Sequence, residues 1–403
     1  MPQRINHLYI YSEEIESDAD SSVISGKSLL VNLLDDYDKL MRQIYVLNPK
    51  LKTILTQNHR QNLDSLQQKL YADELMVEYA ITNQDIFIFT LTQNSTNFYR
   101  LGLPFDFQDK IKSFTSSTKK INRQKFFTTG KYIYKELIQL FQKELEGKKY
   151  LIIKPCSELS LLPFECLPDK NNDYLINKIN ISYKNRDETR KSSVNKINTD
   201  LKYDFIGFAP AYSPNSADFP VLKNQQEVKS IADIFNKAGL KYSLVLGEKL
   251  DKESLTNHFA DNKIIHIAAH SFVNPQNDFV SSIVLGTGDS EKPLTEIHNF
   301  ELASGNVKSE LVVLSSCESG SGKESRGEGI ISLARSFLTA GAGNLIVAMW
   351  KVSDSQTEKL MHEFYIELLK DFNYRRALAQ AKRNLISKYH LFSNTWGAFV
   401  LIE

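Results

Sequence analysis

Two residues able to do nucleophilic chemistry each close a short apolar run in the second half of the sequence. The first run is Ile264-Ile265-His266-Ile267-Ala268-Ala269-His270-Ser271, and the second is Leu311-Val312-Val313-Leu314-Ser315-Ser316-Cys317-Glu318-Ser319-Gly320. Each reads as a buried strand that stops at a polar residue and opens into a Gly/Ser-containing loop. In an open parallel sheet, chemistry gathers at the carboxyl ends of strands, because the loops there converge on one crevice. Neighbouring strands ending in His270 and Cys317 would set an imidazole beside a thiol, the minimum for thiolate catalysis. A free thiol of pKa about 8.5 is only a few per cent thiolate at neutral pH, so it needs such help. The amides of Gly320-Ser321-Gly322 are a second source of it.

The bland alternatives are specific too. A cysteine at a buried strand end is most often a small core residue. His266 shares a face with His270 under two-residue alternation, lies opposite Ser271, and reads as a satisfied core histidine. The four-residue spacing of the two histidines resembles zinc ligands on a helix, but these lie on a strand and the accompanying glutamate is missing. His258, His298, His362 and His390 have no partner legible in the sequence. Ser319-Gly320-Ser321-Gly322-Lys323-Glu324 invites a phosphate-loop reading, yet Cys317 stands where the first glycine belongs and Glu324 where Ser or Thr belongs. A nucleotide-dependent switch is therefore the weakest reading. No G-x-S-x-G elbow offers a serine nucleophile.

The elements that would position these residues follow from periodicity. Residues 1–25 are polar and acidic around Leu8-Tyr9-Ile10-Tyr11 and read as a flexible leader. Leu30, Leu33, Leu34, Tyr37, Leu40, Met41 and Ile44, then Leu63, Leu66 and Leu70, recur at helical spacing within a helical segment over 26–70, broken at Asn48-Pro49. Strands are expected over 75–81, 85–91 and 97–101, helices over 107–121 and 132–145, and strands over 149–154 and 179–183. The charged, Asn/Ser-rich stretch 184–200 is the best linker. Beyond it the pattern alternates: strand 203–209, helix 225–237, strand 241–246, helix 252–259, strand 263–269, strand 281–286, helix 294–299, strand 310–316, helix 327–339, strand 343–349, helices 355–370 and 374–388, strand 396–402. Such alternation predicts an α/β fold, a mostly parallel sheet flanked by helices.

Composition excludes several classes. The 403 residues exceed one average domain, and 42% hydrophobic with 24% charged residues is ordinary for a globular protein. Lys and Arg (49) nearly balance Asp and Glu (48), so no basic field favours nucleic acid or an anionic membrane. No apolar run approaches the roughly 20 residues of a membrane span, and the first 25 residues lack the apolar middle of a secretory signal. Cys156, Cys166 and Cys317 are too few and too scattered for a disulfide framework or zinc site. A cytoplasmic protein with no metal or cofactor is expected.

Taken in order, several segments resemble the CHAT domain, a caspase- and separase-like (clan CD) cysteine protease module often fused to TPR repeats. They are Leu75-Met76-Val77-Glu78-Tyr79, Leu151-Ile152-Ile153-Lys154-Pro155 with Leu162-Pro163-Phe164-Glu165-Cys166-Leu167, and Gln226-Glu227-Val228 followed by Leu246-Gly247. After the histidine and cysteine blocks come Gly341-Ala342-Gly343, Ala348-Met349-Trp350-Lys351-Val352-Ser353-Asp354, Ala377-Leu378 to Ala381, and Asn394-Thr395-Trp396-Gly397-Ala398-Phe399-Val400. The resemblance covers about residues 70–403.

The resemblance implies a His/Cys dyad: Cys317 attacks, His270 protonates the leaving amine, and the backbone N–H groups of Ser271 and Cys317 form an oxyanion hole. Ser271 replaces the glycine that caspases and many relatives carry there. The resemblance also implies a substrate pocket from Glu318 and the Trp350–Asp354 segment, with Lys351 or Asp354 as its charge. Residues 71–190 would be an N-terminal, pseudo-caspase-like lobe and 201–403 the catalytic lobe. The function implied is a cysteine endopeptidase cutting a specific protein partner in bacterial regulation or defence, with a regulatory or TPR-type partner. The alternative is a catalytically idle caspase-like interaction module.

Overall fold

Strands buried on both faces need no polar alternation, and the uninterrupted apolar run Leu311–Leu314 obeys that rule: all four side chains are buried. A computed structural model of the protein describes Lys39 and residues 63–184, 201–212, 223–272, 281–286, 295–315 and 328–403. The expected leader, the helical stretch up to residue 62 and the linker over 185–200 lie outside the described residues. Residues 62–403 form one compact unit.

The first half contains α1 (Leu63–Gln67), β1 (Glu74–Ile81), β2 (Asp85–Leu91), β3 (Thr96–Gly102), α2 (Phe107–Lys119), α3 (Arg123–Leu137), β4 (Tyr150–Lys154), α4 (Leu175–Lys178) and β5 (Asn180–Tyr183). The second half begins β6 (Tyr203–Ala209), α5 (Asn224–Lys237), β7 (Tyr242–Leu246), α6 (Lys252–Thr256), β8 (Asn262–Ile267), β9 (His270–Phe272), β10 (Ser282–Gly286) and β11 (Thr295–His298). It ends with α7 (Asn299–Ser304), β12 (Leu311–Leu314), α8 (Glu328–Ala340), β13 (Asn344–Ala348), α9 (Asp354–Leu368), α10 (Tyr374–Ser387), α11 (Ser393–Trp396) and β14 (Phe399–Ile402).

Among the described residues, eleven strands form one sheet in the order β3-β2-β1-β4-β5-β14-β13-β12-β8-β6-β7. Only the pairs β1–β2, β2–β3 and β13–β14 are antiparallel. The mixed α/β architecture with a mostly parallel sheet is the one read from the sequence. Helix α5 shows how the helices attach: Val228, Ile231, Ala232 and Phe235, at helical spacing, are buried. Its end is set by Gly239, whose φ of +72° continues the chain where a side chain would be strained.

Three expectations are corrected. Helix α3 starts at Arg123 rather than near 132, because the Asn122 side chain accepts from the Lys125 amide and caps it there. The helix expected over 294–299 is strand β11 followed by α7: pairing with β10, and the Ser282 hydroxyl donating to Glu296, override the local preference. The strand expected over 263–269 stops at Ile267, and His270 opens a separate three-stranded sheet, β11-β10-β9.

The Trp396-Gly397-Ala398 turn shows why a glycine stands there. A Cβ at Gly397 would collide with the Cys166 sulfur and the Ser393 carbonyl. The close approach packs the turn before β14 against the segment that follows β4.

Candidate active site

Strands β8, β12 and β13 lie side by side, parallel and in register: Ile267 pairs with Leu314, and Leu314 with Val347. The Ser315 amide extends the β8–β12 ladder by donating to the Ile267 carbonyl at 3.1 Å. Three residues past these paired positions the sequence carries His270, Cys317 and Trp350. Cys317 and Glu318, expected as nucleophile and pocket residue, lie outside the described residues.

His270 is buried at the start of β9. Its backbone N–H donates to the Tyr212 hydroxyl at 2.7 Å, which in turn donates to the Val284 carbonyl at 2.9 Å. Since Val284 is the register partner of His270, the tyrosine hydroxyl is inserted into the β9–β10 ladder. The Tyr212 and His270 rings pack with centroids 4.5 Å apart at 58°, so one tyrosine touches both the backbone and the imidazole. Burial pushes the Tyr212 pKa far above that of an ordinary phenol and keeps the hydroxyl a donor. Ser271 is fully buried, and its hydroxyl has no hydrogen-bond partner among the described residues.

The segment leading into His270 is tied from another side. Asn224, in the first turn of α5, donates through Nδ2 to the carbonyls of Pro210 (2.9 Å) and Ala268 (3.0 Å). One turn on, Glu227 Oε1 lies 3.0 Å from His266 Nε2, which also meets Ser315 Oγ at 3.1 Å. His266 Nδ1 lies 3.0 Å from the Tyr365 hydroxyl. The Tyr365 hydroxyl can donate to Nδ1, while Glu227 Oε1 and Ser315 Oγ both face Nε2. Burial, and then the Glu227 charge, raise the Tyr365 pKa well above its ordinary value, consistent with a protonated donor. His266 is thus a satisfied core histidine, and its partners tie α5, β8, the end of β12 and α9 into one network.

Just past the third strand, Trp350 is buried: its Nε1 donates to the Asn394 carbonyl at 2.8 Å and the Lys119 ammonium lies 6.0 Å from its ring centroid. Lys351 is exposed. Asp354 opens α9, and its carboxylate accepts from the Lys223 amide at 3.1 Å.

Tyr212, Asn224, Glu227, Ser315 and Tyr365 were not singled out as site residues from the sequence. For Asn224 and Glu227 a signal existed, since both sit on the buried stripe of α5 beside Val228, Ile231 and Phe235. Tyr212 has no such signature, because its role depends on a ladder joining distant residues. Cys156 is half-buried and Cys166 buried, and both behave as ordinary thiols: burial raises both pKa values, that of Cys166 far above its usual range. Among the described residues, no group of three or more His, Cys, Asp or Glu is placed to hold a metal, and no helix is long and apolar enough to cross a membrane.

The fold and this end of the sheet define an α/β protein whose parallel strands deliver a histidine and a tryptophan to one edge. The sequence matches the CHAT domain over residues 128–403, and the chain belongs to that family. Tetratricopeptide repeat protein 28 of Mus musculus and of Homo sapiens are similar to it, each 34% identical over 93 residues. That stretch is 23% of this chain and 4% of theirs. Among solved structures, the Saccharomyces cerevisiae separase–securin complex overlaps 84% of this chain and 30% of its own at 11% identity and TM-score 0.49. The Arg-specific cysteine proteinase gingipain R overlaps 74% of this chain and 73% of its own at 10% identity and TM-score 0.43.

Proposed function

We propose that this chain is a cysteine endopeptidase that cuts a protein partner, with Cys317 as nucleophile and His270 as its imidazole. The observation that carries the reading is the shared register of Ile267 and Leu314 on neighbouring parallel strands. Three residues of chain reach at most about 11 Å. His270 and Cys317 therefore leave the same end of two hydrogen-bonded strands after equal lengths of chain.

In the reaction, the Cys317 thiolate forms a bond to the scissile carbonyl carbon and the oxygen takes the charge. His270 delivers its proton to the departing amine, and water then releases the acyl group from sulfur. The β9 geometry supports Ser271 as an oxyanion donor. His270 N–H points to the β10 side, where Tyr212 takes it up, so antiparallel alternation turns Ser271 N–H to the opposite edge. With the Cys317 amide it would stabilise the oxyanion, such donors being worth about 2.7–4 kcal/mol.

Trp350 would wall the substrate pocket, with Glu318 shaping the cleft. Because the Asp354 carboxylate is engaged by Lys223, the exposed Lys351 is the charge of that loop a substrate side chain would meet. We place the activity in the cytoplasm, in bacterial regulation or defence, with a TPR-type or other regulatory partner. Residues 71–190 and 201–403 are its two lobes.

The test is hydrolysis of a peptide panel varied at the residue before the cut, by the whole chain and by Cys317→Ala. The variant should lose turnover and keep its melting temperature. Surviving turnover would remove the mechanism, and a steep loss of stability would return Cys317 to the core. Equal rates for Asp, Arg and Leu peptides would rule out a pocket that reads charge.

A further inference from the structure

The start of α5 is bonded, directly or through His266, to described residues at the carboxyl ends of β8 and β12 and to the first residue of α9. The Lys223 amide, just before the helix, holds Asp354, four residues past Trp350. In the first turn, Asn224 holds the carbonyl of Ala268, two residues before His270. Glu227 holds His266, whose Nε2 meets Ser315, two residues before Cys317. Asn224, Glu227, His266 and Ser315 are all buried. A buried polar group left without its partner is costly, so these bonds favour a single arrangement over a set of near-equal ones.

We propose that the first turn of α5 is the positioning node of the site: Glu227, acting through His266 and Ser315, sets the cysteine loop, while Asn224 sets the histidine loop against it. This rests on the His270/Cys317 reading above and names what holds the two groups at working distance. The node residues are buried and act through their bonds to other residues. Glu227, Asn224, His266 and Ser315 are positioning residues, and Glu227 and Asn224 lie one turn apart on a single helix face. Cutting one of these bonds is therefore expected to change the placement of Cys317 relative to His270.

The distinction gives an assay that needs no substrate. The whole chain is treated with iodoacetamide at neutral pH, and alkylation of Cys317 is followed by peptide mass spectrometry, with Cys156 as internal reference. The His270→Ala variant sets the rate of a thiol without its imidazole. Ser315→Ala removes one hydroxyl, and Glu227→Ala removes the acceptor for His266. Both should slow alkylation of Cys317 towards the His270→Ala rate, by between tenfold and about a hundredfold. Glu227→Gln, whose amide oxygen can still accept from His266, should restore most of the rate. Loss of packing alone moves the reading the other way, since a loosened site exposes the sulfur and speeds alkylation.

If Ser315→Ala and Glu227→Ala react like the unmodified chain while His270→Ala is slow, the node is overturned and the dyad stands. If they react faster, with lowered melting temperatures, the network is structural and the node is overturned. If His270→Ala itself leaves the rate unchanged, the dyad reading fails and the node falls with it.

Discussion

Two buried polar networks stand on different halves of the sheet, and their chemistry differs. In one, Lys382 of α10 donates to Glu165 at 2.9 Å, and the Tyr183 hydroxyl of β5 donates to the same carboxylate at 2.5 Å; both charged side chains are essentially sealed from solvent. In the other, Glu227, His266, Tyr365 and Ser315 form a chain around an imidazole, next to the strands that end at the candidate site. The first joins a helix, a strand and a turn around a full ion pair, which excels at fixing a scaffold and is costly to break. The second centres on an imidazole bonded to a buried carboxylate and two hydroxyls, so its hold is spread over several directional bonds. The lesson is a division of labour: the ion pair locks elements together, and the imidazole chain carries the positioning role proposed above.

The sharpest way to break this comparison is to strip one charge from the ion pair. Lys382→Met leaves Glu165 buried beside Tyr183 without its cation, and should cost about 3–5 kcal/mol in urea unfolding. Adding Glu165→Gln should recover part of that loss, and iodoacetamide reactivity at Cys317 should remain that of the parent wherever the variant is folded. Ser315→Ala is the mirror case: a net cost of about 0.5–1.5 kcal/mol for one lost hydrogen bond, with a large fall in reactivity. If both variants changed stability and reactivity in the same proportion, the division would be wrong.

The smallest effect concerns pH. Burial acts to raise the Asp169 pKa, but the Lys178 ammonium and the amides of Asp173 and Asn171 outweigh it and lower the value overall. A carboxylate lowered in the folded state adds stability at pH values above its unfolded pKa of about 3.9, and that stability fades as pH falls through the folded value. Asp169→Asn should therefore lower the melting temperature slightly at neutral pH and flatten its decline on the acid side. An unchanged acid limb would remove Asp169 from the linkage.

Much of the architecture was legible because strands such as Leu311–Leu314 and Leu345–Ala348 carry continuous apolar runs that only a sheet covered on both faces accommodates. The α/β alternation followed from the helical spacing between them. The register Ile267–Leu314–Val347 was not legible, because pairing between strands is a long-range choice that local pattern does not encode. Helix 294–299 was misread for the same reason: Thr295 and Ile297 take strand conformation only because β10 lies beside them. Within the site, His270 announced itself as a polar end to an apolar run. Glu227 was visible as part of a motif, while its partner His266 looked like an ordinary core histidine. Tyr212 gave no warning, since inserting a hydroxyl between two paired residues of other strands leaves no trace in its own neighbourhood.

The most direct test of the central claim is covalent capture by a peptide carrying a thiol-directed electrophile, read by mass spectrometry across the three cysteines of the chain. The account predicts one fast adduct, on Cys317, that nearly disappears in His270→Ala. Equal labelling of Cys156 and Cys317, or labelling of Cys317 indifferent to His270, would contradict it.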